Sequence, residues 1–139
     1  MREILFRGKH IHAFPKNKHL DGTWVYGYLS GGDYINTVDD GEYGEKYASE
    51  MLIDPQTICQ YTGMEKEGRK LFENDIVECR GNGRHFQTCI KWDEDAGGFM
   101  LQDTESSWCG LDALGEGGIY KDYRIVGNIF DNPELGKRE

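Results

Sequence analysis

The side chains with the widest chemical reach in this chain are four histidines, four cysteines and several charged groups set beside glycine. His10-Ile11-His12 places two imidazoles on one side of an extended segment, a usable metal pair. Protein metal sites need three or four ligands, and His19 or Asp21 would have to join through closure of a loop, so exposed loop histidines are the simpler reading. Cys59, Cys79, Cys89 and Cys109 form no C-x-x-C pair, which leaves a zinc knuckle or dithiol centre unsupported. Asp93-Glu94-Asp95-Ala96-Gly97-Gly98 starts like a calcium loop. Its twelfth position is Thr104 instead of a bidentate glutamate, and its flanks read as strands, so a turn with solvated acids is expected. Arg80-Gly81-Asn82-Gly83-Arg84 could offer backbone amides and two guanidinia to a phosphate. With Lys91 on the adjoining strand and His85 and Trp92 nearby, it could touch single-stranded nucleic acid through charge and stacking. The plainer alternative is a hairpin tip solubilised by arginines.

Hydrolase and phosphotransfer motifs do not occur. There is no G-x-S-x-G elbow and no H-E-x-x-H. Gly63 and Gly68 have the spacing of a phosphate loop, but Arg69-Lys70 stand where Lys-Ser/Thr is required. Asp39-Asp40 read as loop residues with no apolar wall to raise a carboxyl pKa. Cys59, Cys79 and Cys89 fall in strand candidates and read as small inert hydrophobes. No catalytic residue, metal or cofactor is expected.

These groups must be positioned by β-structure. The stretch Ile53–Glu78 organises the chain: a short strand around Thr57–Tyr61, a turn at Thr62-Gly63, a charged loop, a turn at Phe72–Asp75 and a strand at Ile76–Val77. Before it, Glu3–Gly8 and Thr23–Leu29 read as strands, and Ser30-Gly31-Gly32-Asp33 should fold Tyr34–Val38 back antiparallel. In Thr23–Leu29 the alternation puts Trp24, Tyr26 and Tyr28 on one face. That face reads first as core. The alternative is an exposed patch that binds protein or bases, because Trp and Tyr are favoured at interfaces. Gly27 leaves a gap on the opposite face for a neighbouring backbone. Glu45–Leu52 fits either a helical turn or a strand.

After the central stretch, Asn82-Gly83 should join Asp75–Arg80 to His85–Trp92. Phe99–Gln102 and Tyr123–Phe130 read as strands, and Gly117–Tyr120 as a further short one. Ser107–Leu114 reads as a short helix with Trp108, Leu111 and Leu114 on one stripe. Asp131–Leu135 reads as a helical turn capped by Asn132, and 136–139 as a frayed tail. The expected fold is therefore mainly β: a small, strongly bent SH3-like β-barrel with additional N-terminal strands and one or two short helices, in a single domain over 1–139.

Composition agrees with a small β domain. Nineteen glycines demand many turns, and 12% aromatic residues can fill a thin core. The net charge of −9 disfavours bulk binding to nucleic acid or an anionic membrane, while leaving room for a local basic patch. Charge interrupts Met1-Arg-Glu-Ile-Leu-Phe-Arg before an apolar run forms, so no signal peptide is expected, and a reducing cytoplasm with free thiols follows.

Five segments resemble one family in order: I-L-F-R-G-K (Ile4–Lys9), D-G-T-W-V-Y-G-Y-L (Asp21–Leu29), I-D-P-Q-T-I-C-Q-Y-T-G (Ile53–Gly63), G-R-K-L-F-E-N-D-I-V (Gly68–Val77) and I-V-G-N-I-F-D-N-P-E-L (Ile125–Leu135). Together they resemble the YopX-like proteins of prophages and phages of low-GC Gram-positive bacteria. Cys59 and Asn74 stand where that family usually has glycine, and the Lys9–Asp21 loop is longer than in many members. The resemblance implies a mostly β fold and a phage-related origin, and it transfers no activity and no functional residue.

The expectation is thus a non-enzymatic, prophage-encoded accessory protein. It would bind a protein partner or itself through its β surface, with Trp24, Tyr26 and Tyr28 as the candidate interface. The alternative is a nucleic-acid-binding module that uses Arg80, Arg84 and Lys91.

Overall fold

Side chains that alternate between buried and exposed, interrupted by glycine corners, make most of the described residues strands. The computed structural model describes residues 3–11, 22–40, 43 and 46–135, which fall into two compact units, Met1–Gly63 and Met64–Glu139. His12, His19 and Asp21, most of the Lys9–Asp21 loop, and the 136–139 tail lie outside the described residues.

The first unit is one antiparallel sheet. Its strands are β1 (Phe6–Lys9), β2 (Trp24–Ser30), β3 (Tyr34–Asp40), β4 (Lys46–Leu52) and β5 (Cys59–Lys66), of which residues 59–63 belong to this unit, in the spatial order β4-β3-β2-β1-β5. The Ser30–Asp33 turn pairs β2 with β3 as expected, with Leu29 opposite Ile35. Within Glu45–Leu52, open between helix and strand, the described residues Lys46–Leu52 form β4, and β3 runs on through Asp39-Asp40 instead of ending in a loop. Val25, Ile35 and Ile53 form a small core, with Phe6, Met51 and Ile58 packed against it. Gly27 meets the expected close backbone approach, since a Cβ there would lie 2.1 Å from the Asn36 carbonyl oxygen.

The charged segment after Thr62-Gly63 is not a loop. β5 continues to Lys66 and turns through Glu67-Gly68 into β6 (Arg69–Phe72). Both turn residues have positive φ, 53° and 80°, the geometry of a two-residue hairpin whose twist matches its strands.

In the second unit, β7 (Asp75–Gly81) is the middle strand between β12 (Asp122–Asn128) and β8 (Arg84–Cys89). A second sheet contains β9 (Lys91–Asp93), β10 (Gly98–Thr104) and β11 (Ser107–Gly110), in the order β11-β10-β9. Leu71, Val77, Ile90 and Leu101, none of them solvent-accessible, centre its core, with Tyr120 and Tyr123 alongside. Asn82 and Gly83 (φ 52° and 73°) make the expected primed turn. The anticipated strand His85–Trp92 is broken at Ile90. Its amide bonds the Asp75 carbonyl at 3.0 Å and its carbonyl takes the Asn74 amide at 2.8 Å.

Three expectations fail here. The Ser107–Leu114 helix is absent: Ser107–Gly110 pairs with β10, and only Leu111–Ala113 makes a 3-10 turn. The apolar stripe misled because Trp108 points to solvent at 48% exposure while Ala113 and Leu114 enter the core. Gly117–Tyr120 contributes a single bridge from Tyr120 to Leu114. Asn132 caps nothing downstream; its side-chain oxygen turns back to accept from the Asn128 amide, and Asp131–Leu135 is a plain turn. Hydrogen bonding closes none of these sheets into the expected SH3-like barrel among the described residues.

Two substitutions test this packing. Gly27→Ala drives a methyl into the β3 backbone and should cost about 1–3 kcal/mol in urea unfolding, whereas Gly32→Ala, with open space around it, should be near neutral. Asp75→Ala should cost about 1–3 kcal/mol by stranding the buried Phe72 amide, which its carboxylate accepts at 2.8 Å.

Candidate functional site

Two surfaces gather the chemistry of the chain, one on each unit. On the first, the parity of β2 sends Val25 and Gly27 inward and Trp24, Tyr26 and Tyr28 outward. Tyr26 is 49% and Tyr28 52% exposed, which corrects the first reading of this face as core. On the inner side at Gly27 the Asn36 backbone of β3 leaves no room for a side chain. Arg7 stands opposite Tyr26 and Lys9 opposite Trp24 on β1. The Arg7 guanidinium, itself buried, lies 4.5 Å from the Trp24 ring centroid, and the Lys9 ammonium 5.3 Å from it. Tyr34, 38% exposed, pairs with Ser30 and extends the same face.

His10 is buried at 7% exposure, and its Nδ1 has no hydrogen-bond partner among the described residues. His12, the other imidazole of the pair, lies outside them, and no three metal-ligating side chains converge among the described residues.

On the second unit, the nucleic-acid trio separates. Arg84 is committed inward: Nη1 donates to the Tyr120 hydroxyl at 3.1 Å, Nη2 donates to the Asp103 carbonyl, and the guanidinium lies 4.6 Å from the Phe86 ring. Lys91 is exposed on β9. Arg80 instead joins His85 with Glu78 and Arg124, two residues that sequence reasoning passed over. Along the outer face of β12-β7-β8, Glu78 accepts from Arg124 at 3.2 Å and lies 3.1 Å from His85 Nε2 and 3.4 Å from Arg80.

Beyond Arg124 the hairpin tip reaches the side of β12 away from β7. Lys66 Nζ contacts the Asp122 carboxylate at 3.0 Å and donates to the Tyr123 carbonyl, and Arg69 Nη1 donates to the Ile125 carbonyl at 3.1 Å. Lys66 also lies 4.7 Å from the Tyr123 ring. A cavity of about 310 Å³ runs between tip and edge, and a neighbouring one of about 200 Å³ shares Asp122, Tyr123 and Arg124. The signal for this arrangement was the Glu67-Gly68 pair flanked by strand-like residues, which a charge-based reading hides as a loop.

With this geometry in place, the comparison with known families is decisive: the chain matches the family described as YopX protein over residues 14–136. This chain belongs to the YopX family. The match extends over parts of both units. A comparison with curated proteins finds no match. No helix among the described residues of this YopX-family chain is long and apolar enough to cross a membrane.

The cysteines of this YopX-family protein are all free thiols. Burial pushes the Cys79 thiol up to about 12 and raises Cys109 in the same direction, so neither is a thiolate at neutral pH. Asp93, read above against a calcium loop, turns its Oδ1 to the amides of Asp95 and Ala96 in its own turn.

The carboxylates of the charged face have a defined acid response. The Arg124 hydrogen bond holds Glu78 below its usual value against the opposing effect of burial, and His85 adds to it; Lys66 does the same for Asp122. A carboxyl depressed in the folded state stabilises the fold above its unfolded pKa, and that contribution is lost as pH falls through the folded value. Arg124→Ala should therefore raise the Glu78 titration in side-chain carboxyl NMR and move acid unfolding, followed by circular dichroism, to higher pH.

Proposed function

We propose that this YopX-family protein is a non-enzymatic, prophage-encoded accessory protein whose work is to bind another protein through the outer face of β2. The observation that carries this reading is the exposure of Tyr26 and Tyr28, about half of each ring, on a sheet whose opposite face is core. Aromatic side chains bring large contact area at small entropic cost, and apolar surface displayed in a patch marks interaction sites. The Arg7 and Lys9 cations lie against the Trp24 ring, which stiffens the patch. Self-association through the same face is included in the reading. Action in the host cytoplasm accords with four cysteines that form no disulfide. We read the second unit as an SH3-like barrel in its packing: β8 lies beside β10, and strands of both sheets fill one core.

The alternative, a nucleic-acid-binding module built on Arg80, Arg84 and Lys91, draws less support. Arg84 is held by Tyr120 and Asp103, and the chain carries a net charge of −9.

Tyr26→Ser combined with Tyr28→Ser separates these readings. Both positions are exposed, so the thermal midpoint should stay close to wild type. Capture of the partner from lysate during prophage induction, or the dimer fraction in light scattering, should fall by roughly tenfold or more if the rings are interface anchors. Co-purified material that absorbs as nucleic acid and leaves with salt or nuclease would turn the reading to the alternative. Unchanged association in the double variant would remove the β2 face as the interface.

A further inference from the structure

Register brings two tyrosines and a carboxylate around one asparagine near the turn between β2 and β3. Tyr28 stands opposite Asn36, and Asn36 opposite Glu50. One step toward the turn, Ser30 stands opposite Tyr34. Ile35 is fully buried, so its neighbours Tyr34 and Asn36 lie on the outer face of the sheet. Asn36 is therefore flanked on three sides. Tyr28 and Glu50 are its cross-strand neighbours at about 5 Å, and Tyr34 lies about 6.7 Å along its own strand. Tyr28 and Tyr34 are exposed, and neither ring contacts another ring or a cation among the described residues. Glu50 is exposed, as is Asp33 beside Tyr34, and neither carboxylate has an ion pair among the described residues. On the other side of β2, Arg7 stands opposite Tyr26 and places its guanidinium against Trp24, away from Tyr28.

We propose that this corner of the β2 face receives an arginine side chain of the protein partner. The inference rests on the reading of that face as a protein interface and names the chemistry it selects. A planar guanidinium lying over Asn36 would sit between the Tyr28 and Tyr34 rings, whose faces attract cations. It would fork two N–H groups onto the Glu50 carboxylate, and the Asn36 side-chain oxygen would accept another. A lysine ammonium brings the same charge but neither stacks nor forks. Charge complementarity selects this occupant. The corner presents Glu50 and Asp33, and the chain carries a net charge of −9, so a cationic segment is drawn in and an acidic one repelled. Bases would stack on the same rings, but their phosphates would meet the two carboxylates. Tyrosine and arginine are also the residues in which binding energy concentrates at interfaces.

The test uses the full chain and fluorescein-labelled peptides of equal length, alternating Arg and Ser, Lys and Ser, or Glu and Ser, with oligothymidylate as the fourth probe. The Arg/Ser peptide should raise anisotropy most, in a salt-dependent way, and shift the backbone NMR signals of Tyr28, Tyr34 and Glu50. Glu50→Gln should weaken it by about fivefold. Tyr34→Leu, which keeps apolar area but removes the ring face, should weaken it by about threefold, and Tyr34→Phe should bind as wild type. Glu94→Gln removes the same charge from an exposed turn of the second unit and should have no effect. All these positions are exposed, so circular dichroism should show unchanged thermal midpoints. The proposal is overturned by failure of the Arg/Ser peptide to bind, by equal binding of the Lys/Ser peptide, by an equal effect of Glu94→Gln, or by tighter binding of oligothymidylate. A dimer fraction that falls with Tyr34→Leu while no peptide binds would assign the corner to a second copy and overturn it as well. Partner capture lost with Tyr26→Ser and Tyr28→Ser but kept with Glu50→Gln would overturn this inference alone and leave the β2 face as the interface.

Discussion

The corner at Phe72-Glu73-Asn74-Asp75 is the constraint on which the second unit depends. Asp75 is a carboxylate at 2% exposure, a state that costs free energy unless its oxygens are bonded. Its Oδ2 closes the turn on the Phe72 amide, and its carbonyl receives the Ile90 amide. One residue earlier, Asn74 sits at φ 70°, donates its amide to Ile90 and accepts from Ile129. The ends of β6 and β8 and the segment after β12 are thereby tied to the start of β7. Apolar strands on either side could slide in register; the polar corner removes that freedom because any shift would strand a buried group.

What the strands do with their outward faces follows from how closely they pack inward. Next to Gly8 and Gly27 the sheet of the first unit has no room for rings, since a Cβ at Gly8 would meet Ile53 at 2.2 Å and one at Gly27 would meet the Asn36 carbonyl at 2.1 Å. The aromatics of β2 are consequently delivered to solvent. The second unit solves a different problem. Its β12 edge would be an open template for pairing, and Lys66 and Arg69 cover it with charge.

Much of the strand pattern was legible from alternation and turn chemistry. Ser30–Asp33, Asn82-Gly83 and the Phe72–Asp75 corner all turn where glycine, asparagine and aspartate said they would. The errors lie where local pattern and long-range pairing compete. Ser107–Leu114 has a helical stripe, but β10 offers Ser107–Gly110 a ladder, and a paired strand satisfies more backbone groups than one isolated helical turn. The run 64–70 looked like a loop because charge was weighed above the Glu67-Gly68 turn. The candidate site was legible in part: Trp24, Tyr26 and Tyr28 were singled out, but their direction was not, and Arg80 was grouped with Arg84 through sequence proximity although its partner is Glu78.

The sequence by itself determined that this chain would be β-rich, acidic and turn-dense, and its ordered segments carried its membership of the YopX family. Those properties reside in composition and in spacings of a few residues, which any stretch of chain carries with it. Tertiary structure alone decided which side of β2 faces water, which arginine is spent in the interior and which cations guard a strand edge. Each of those depends on contacts between residues far apart in the chain, such as Lys66 with Asp122 and Arg84 with Tyr120. The free energy of such contacts is set by desolvation and geometry at the meeting point, which no local spacing encodes.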